Sequence, residues 1–130
     1  MKTYINDKEE FKRDYVDELN VMKLYVNDKI LLSNVTLADN FKSKLIGLLN
    51  KKSLDKNEGL LLKNCSGIHC FFMKFTIEAV YLSKDMKVLY KETVKPWEMG
   101  KLVRNCTHVL ELPEGMAKDI EIGDYISMSF

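Results

Sequence analysis

The sequence predicts a single mainly-β (α+β) domain, and three observations favour that fold class. A chain of 130 residues has the size of one domain that can bury a sizeable core. Short apolar segments separated by turn residues recur from residue 21 onward, a pattern typical of a β-sandwich or barrel. Only two segments, 7–19 and 40–49, space their apolar residues as a helix does.

The first two strands are predicted to form a hairpin. Residues 21–26 and 29–37 have strand composition, and Asn27 and Asp28 between them favour a tight turn. A helix over 40–49 then follows Asp39, which is a good capping residue. The apolar residues of this helix that recur at helical spacing are Phe41, Leu45, Leu48 and Leu49.

The rest of the chain predicts short strands separated by turns. Pro96, Pro113 and Gly123 stand between apolar runs, where turns are expected. The predicted strands cover residues 59–62, 68–75, 77–82, 87–94, 107–112 and 125–130. Because no linker rich in Gly, Ser or Pro and no internal repeat divides this region, we expect residues 21–130 to form one domain.

Residues 1–20 are predicted to be a helical extension. Phe11, Tyr15 and Leu19 recur at i, i+4 and i+8 and give residues 7–19 one apolar stripe on a charged helix. This helix is either a solvated surface element docked through its stripe or an arm that binds a protein partner.

Charge and motifs exclude several classes of function. Lys and Arg number 20 against 19 Asp and Glu, for a net charge of +1, which argues against a general nucleic-acid binder. The sequence has neither a phosphate-binding loop nor a G-x-G-x-x-G pattern. It also lacks a stretch of roughly 18–20 apolar residues that would cross a membrane. With no apolar signal segment at the start of this chain, a cytoplasmic location is predicted.

The chain has three cysteines, an odd number that favours free thiols in a reducing compartment and so agrees with that location. The alternative, for an exported protein, is one disulfide and one free thiol. Cys65, His69 and Cys70 are residue types that bind zinc. They form neither a C-x2-C nor an H-x3-H pair, and consecutive residues of a strand point to opposite faces. Cys106 and His108 would complete a site only if the fold brought them close. We therefore predict no metal and no cofactor.

The same region also carries candidate catalytic residues. His69 is a candidate general base with Glu78 as its orienting carboxylate. Cys65, in a turn-like setting near His69, is a candidate nucleophile. The structural alternative is a hydrogen-bonded His69 and a surface ion pair between Lys74 and Glu78.

Three ordered blocks over residues 21–130 resemble the DUF192 family, also called UPF0127. Residues 38–49 (ADNFKSKLIGLL) are similar to its A-x-x-F-x-x-R-x-x-G-L-L pattern. Residues 65–82 (CSGIHCFFMKFTIEAVYL) look like C-x-S-I-H-T-F-G-M-R-F-P-I-D-V-V-F-L. The third block is Pro96-Trp97, then residues 109–115 (VLELPEG), then Gly123-Asp124.

The resemblance implies a compact β-sandwich or barrel of jelly-roll type with one helix, and no settled activity. Its polar positions match at Cys65, His69, Glu111 and Asp124. Lys44 and Lys74 stand where the family has Arg, and Glu78 where it has Asp. Lys cannot grip a carboxylate or phosphate with two parallel hydrogen bonds as Arg does.

Charged residues inside apolar strands then suggest where the function lies, because buried charge is costly unless it is paired. We expect either an internal clasp or a polar pocket in a non-enzymatic binding or accessory module for a small polar or anionic ligand. Its predicted ligand-binding residues are Lys44, His69, Lys74, Glu78, Trp97 and Glu111. The alternatives are a small hydrolase or transferase using His69 with Glu78 or Cys65, and a protein-interaction module using residues 7–19.

Overall fold

The computed structural model describes residues 21–38, 58–65 and 75–129, and these form a sheet of seven strands. The strands are β1 (Val21–Val26), β2 (Lys29–Ala38), β3 (Glu58–Leu62), β4 (Ile77–Leu82), β5 (Val88–Val94), β6 (His108–Pro113) and β7 (Ile126–Ser129). The mainly-β prediction is confirmed. The predicted helices 7–19 and 40–49, and all but the last residue of the predicted strand 68–75, lie outside the described residues.

The hairpin of β1 and β2 forms where the sequence predicts it. Val26 pairs with Lys29 across a two-residue turn. Asn27 and Asp28 in that turn have φ angles of 51° and 69°. Both angles lie in the left-handed region that a tight hairpin turn requires and that Asn and Asp tolerate.

The sheet is curled into a half-barrel. Its strand order is β5-β4-β6-β3-β2-β1-β7, and β2 and β3 are its parallel pair. Hydrogen bonds join the two outermost strands near their starts: the Val88 amide donates to the Asp124 carbonyl (2.8 Å), and the Ile126 amide donates to the Met86 carbonyl (2.9 Å). The jelly-roll type stays a prediction.

Two clusters of buried side chains lie on the two faces of the sheet. The inner cluster contains residues from both outermost strands and therefore fills the curl; it consists of Leu24, Val26, Leu32, Val35, Leu61, Val80, Leu82, Val88, Leu110, Leu112, Ala117, Ile120 and Ile126. The outer cluster lies on the opposite face of β3 to β6 and consists of Leu60, Leu62, Ile77, Ala79, Tyr81, Val94, Cys106 and Val109.

Strand β6 lies between β3 and β4, and all six of its residues are buried. Its side chains alternate between the faces, as a strand requires. Leu110 and Leu112 belong to the inner cluster and Val109 to the outer one. A polar residue in this strand is consequently removed from water on whichever face it lies.

No helix within the described ranges is long and apolar enough to cross a membrane.

Candidate buried-carboxyl site

Glu111 lies in the centre of the sheet with only 1% of its surface exposed. It pairs with Leu60 of β3 on one side and Ala79 of β4 on the other. Since residues directly opposite each other share a face, the Glu111 side chain lies on the face of the outer cluster. Both register neighbours are apolar, and the carboxyl is shielded from solvent.

This burial changes the proton affinity of Glu111. Desolvation penalises the charged form and raises the pKa of the carboxyl from 4.5 to about 8. Among the residues the structure describes, the Oε1 atom has no hydrogen-bond partner. At neutral pH the group is therefore mostly a neutral acid, which both donates and accepts hydrogen bonds.

A second carboxyl stands in the same row of the sheet. The register places Leu60, Glu111, Ala79 and Glu92 side by side across β3, β6, β4 and β5. Glu111 and Glu92 are two strands apart, which is roughly 9–10 Å between backbones. The small side chain of Ala79 separates them, so this row combines two carboxyls with little bulk between them.

Glu92 is held by two donors. Its Oε2 atom accepts a hydrogen bond from the Tyr81 hydroxyl at 2.6 Å and another from the Lys101 amide at 2.8 Å. Tyr81 is fully buried, and its ring lies 6.1 Å from the ring of Tyr90. The Lys101 ammonium lies 5.4 Å from the centre of the Tyr90 ring, a cation–π distance. The position of the Glu92 carboxylate is thus fixed.

Glu78 does not lie beside Glu111. It pairs with Leu112 of the inner cluster, while Glu111 pairs with the next residue, Ala79. The two glutamates therefore leave opposite faces of the sheet. The Oε2 atom of Glu78 instead accepts hydrogen bonds from the Thr93 hydroxyl (3.0 Å) and the Gly115 amide (3.1 Å). These bonds tie β4 to β5 and to the turn after β6.

Trp97 lies in the segment after β5 and is 62% exposed. Its φ angle is 70°, which is unusual for a bulky residue. The Glu98 Oε1 atom accepts a hydrogen bond from the Lys95 amide at 2.8 Å and steadies this turn.

Cys65 lies where the chain leaves β3. Its amide donates to the Thr107 carbonyl at 2.8 Å, and the preceding amide, of Asn64, donates to Nδ1 of His108 at 3.1 Å. Burial first, and the Lys63 ammonium second, lower the pKa of His108. Accepting a hydrogen bond at Nδ1 is consistent with a neutral imidazole.

Three of the predicted ligand-binding residues, Lys44, His69 and Lys74, lie outside the described residues and stay predictions. Within the described ranges, no three His, Cys, Asp or Glu side chains converge closely enough to hold a metal ion.

The Glu92–Tyr81 pair was missed from the sequence, although a signal was present. Tyr90 and Glu92 alternate with other residues along β5, so they share one face. Their contact with Tyr81 depends on the β4–β5 register, which no local pattern shows. His108 was considered only as a metal ligand, and its hydrogen bond to the Asn64 amide depends likewise on long-range pairing.

Known proteins with similar sequences agree with the family resemblance. A model of the DUF192 family, described as an uncharacterized ACR, matches residues 22–128. The UPF0127 protein PH1112 of Pyrococcus horikoshii is 31% identical over 111 residues, which are 79% of this chain and 96% of that protein. The UPF0127 protein TK1120 of Thermococcus kodakarensis is 28% identical over 99 residues, 72% of this chain and 63% of that protein.

A solved structure has the same fold. The crystal structure of a protein of unknown function from Novosphingobium aromaticivorans superimposes with a TM-score of 0.66 at 16% identity, covering 82% of this chain and 83% of that one. The fold is therefore shared at an identity too low to transfer any activity. The match of the family model over most of the chain, together with the UPF0127 relatives, shows that this protein belongs to the DUF192 family.

Proposed function

We propose that this protein is a non-enzymatic binding module for a small polar or anionic ligand, anchored by the carboxyl of Glu111. The observation that carries the proposal is the burial of this group without a hydrogen-bond partner for Oε1 among the described residues. Leaving a buried polar atom unsatisfied costs about 1–3 kcal/mol. A ligand that bonds to the carboxyl would recover this free energy on binding.

The protonation of Glu111 is compatible with either class of ligand. A neutral carboxyl donates one hydrogen bond and accepts others. It can therefore donate to the oxygen of an anion or accept from an amine or hydroxyl. A permanently ionised carboxylate would instead repel an anion.

Two further predicted ligand-binding residues belong, in sequence, to the connection between β3 and β4. The described ends of this connection, Cys65 and Phe75, both pack against the outer cluster, on the face where Glu111 lies. His69 and Lys74 belong to the sequence between those ends. We assign both residues to the Glu111 site, together with Lys44. Lys44 and Lys74 supply the positive charge that an anionic ligand needs.

We assign different roles to Glu78 and Trp97, two further predicted ligand-binding residues. Glu78 is held by Thr93 and Gly115 on the opposite face, so it supports the turn after β6. Trp97 is exposed and is retained as an outer contact. The hydrolase or transferase alternative with Glu78 as the orienting carboxylate loses support, because that carboxylate already accepts these two hydrogen bonds.

A thermal-shift screen tests the proposal. The wild-type protein is heated with a panel of anions, amines, sugars and nucleotides, and each compound that raises the melting temperature is repeated on Glu111→Gln, His69→Ala and Lys74→Ala. A ligand that binds only the folded state raises stability in proportion to the logarithm of its concentration. We expect a shift that is reduced in all three variants and kept in the control Glu114→Gln, whose side chain is exposed.

Two outcomes would contradict the proposal. One is a set of compounds that stabilise Glu111→Gln as strongly as the wild type, which would place their site elsewhere. The other is the absence of a shift with the whole panel, which would favour the internal clasp or the protein-interaction module.

A further inference from the structure

Two cysteines lie close together, Cys65 just after the end of β3 and Cys106 just before the start of β6. The Cys65 amide donates to the carbonyl of Thr107, the residue after Cys106, at 2.8 Å. This bond lies beyond Leu62 and Val109, the last paired residues of the two strands. Paired strands lie about 5 Å apart, and a disulfide needs Cα atoms within about 4.4–6.8 Å.

The sulfur of Cys106 points toward Cys65. Its Sγ atom lies 3.8 Å from the Cys65 carbonyl oxygen and 3.3 Å from that of His108. Two covalent bonds separate the Cys65 oxygen from its Cα, so the sulfur lies within roughly 6.5 Å of that Cα. Cys65 also packs against the outer cluster, to which Cys106 belongs. Neither residue is in a disulfide.

The environments of the two thiols differ. Cys65 is partly exposed and Cys106 is buried. Burial first, with an electrostatic contribution from Cys65, raises the pKa of Cys106. The thiolate is the form that attacks an oxidant. A small oxidant in solution will consequently meet Cys65 first, while Cys106 stays a protected thiol beside it.

We propose that Cys65 and Cys106 form an oxidation site, in which a peroxide oxidises Cys65 and Cys106 closes an intramolecular disulfide. This site is independent of the Glu111 carboxyl and of any ligand that binds there. It would fasten the end of β3 to the start of β6 and close a loop between residues 41 positions apart in sequence.

The chemistry balances with a peroxide as the only oxidant. The Cys65 thiolate, having released its proton to water, attacks one oxygen of hydrogen peroxide; an S–O bond forms, the O–O bond breaks, and a sulfenic acid and one water result. The Cys106 sulfur then attacks the Cys65 sulfur. The S–S bond forms, the S–O bond breaks, and hydroxide leaves as the second water with the Cys106 proton. Two thiols are oxidised and one peroxide is reduced.

Peptide mapping of the full chain tests this proposal. The reduced protein is treated with an equimolar amount of hydrogen peroxide, alkylated without reduction, and digested. We expect one cross-linked peptide pair joining Cys65 to Cys106, lighter by two hydrogen atoms than the reduced pair. The melting temperature should rise on oxidation and return with dithiothreitol, since a cross-link restricts the unfolded chain. Cys70→Ser, the matched control, should give the same result.

A second variant separates the two steps. In Cys106→Ser, Cys65 should stop at the sulfenic acid and be labelled by dimedone, a reagent specific for that group. If Cys106→Ser does not fold, Cys106→Ala serves instead, because it adds no polar atom to a buried site. A disulfide that contains Cys70, a bond between two chains, or equal dimedone labelling of Cys65 in the wild type would overturn the proposal.

Discussion

Glu111 combines an ionisable side chain with a position that is only 1% exposed to solvent. Its register neighbours, Leu60 and Ala79, are apolar, and its strand is buried on both faces. A leucine would be expected at this position if packing alone determined it. An ionised carboxyl would be destabilising here, since among the described residues its Oε1 atom has no hydrogen-bond partner; the proposed ligand would supply one.

Glu111 should make the stability of the protein depend on pH. Its pKa of about 8 in the folded protein exceeds the ordinary value of 4.5. Below pH 4.5 both states hold the proton, whereas between 4.5 and 8 only the folded state holds it. The free energy of unfolding therefore falls as the pH rises through this window, by on the order of 5 kcal/mol, and the fall ends above pH 8.

Urea unfolding of the wild type and Glu111→Gln across this pH range checks the prediction. The variant cannot ionise at this position, so its curve should lack this component. The other carboxyl in the same row, Glu92, is present in both proteins and cancels in the difference. Equal pH slopes for the two proteins would show that Glu111 is not held neutral.

Tyr81 offers a second test at the scale of one residue. Replacing it with Phe removes the hydroxyl that donates to Glu92 at 2.6 Å and leaves the buried ring in place. Because hydrogen bonds to charged groups contribute about 1.5–3 kcal/mol, we expect a loss of about 1–2 kcal/mol, the Lys101 amide remaining as a donor. Chemical denaturation measures this loss. In the exposed control Tyr125→Phe the free energy of unfolding should be unchanged.

Sequence patterns identified Glu111 as a site residue but did not predict on which face of the sheet Glu78 lies. Glu111 was identified because a carboxylate inside the apolar run of residues 109–112 is conspicuous. The separation of Glu78 from Glu111 was not foreseen, because it follows from the register that pairs Glu111 with Ala79. A shift of one residue would have put both glutamates on the same face.

Individual strands were predictable because their signals are local. The β1–β2 hairpin follows from Asn27 and Asp28, which accept positive φ angles. Strands β4 and β5 lie within one residue of their predicted bounds. The parallel pairing of β2 with β3 was not predicted. It joins segments separated by residues 39–57, and no local pattern encodes such a contact.

A substitution at Gly59 tests how closely β3 packs against its neighbours. A Cβ atom added there would lie 3.0 Å from Cδ1 of Leu32, 3.3 Å from the Glu111 carbonyl oxygen and 3.3 Å from Cδ2 of Leu112. The backbone oxygen cannot move without disturbing β6. We expect Gly59→Ala to lower the free energy of unfolding by about 1–3 kcal/mol, the usual cost of overpacking. Thermal and urea unfolding measure the change.

Gly115 provides a contrasting control, because nothing lies within 4 Å of its added Cβ and its φ angle is +88°. Any cost of substitution there comes from the backbone, so Asn should be tolerated better than Ala. At Gly59 the larger Asn should be worse than Ala. The opposite order at Gly59 would contradict the close packing of β3 against β6.

At the scale of the whole molecule, the curl of the sheet joins its two ends. Hydrogen bonds between the regions of Val88 and Asp124 and of Met86 and Ile126 link the outermost strands. The inner cluster accordingly draws on both ends of the described chain. We expect this part of the molecule to unfold in a single cooperative step.

A truncation tests the predicted domain boundary. The family model matches residues 22–128 and the first strand begins at Val21, so a fragment of residues 21–130 should fold. We expect a cooperative melt within a few degrees of the full chain and the far-ultraviolet spectrum of a β-protein. A fragment that melts without cooperativity would show that residues 1–20 complete the core. Partner binding by the full chain that the fragment loses would instead support the protein-interaction module.

The carboxyl carbon of Glu111, followed by NMR in protein labelled with ¹³C-glutamate, gives the most direct measurement. Its signal is assigned by its loss in Glu111→Gln and is then titrated with pH. A neutral buried acid that awaits a ligand should titrate near pH 8, as its burial predicts. A midpoint at or below the ordinary 4.5 would contradict the proposed anchor. It would mean that the carboxylate is already paired with a cation of the chain, as in the internal clasp.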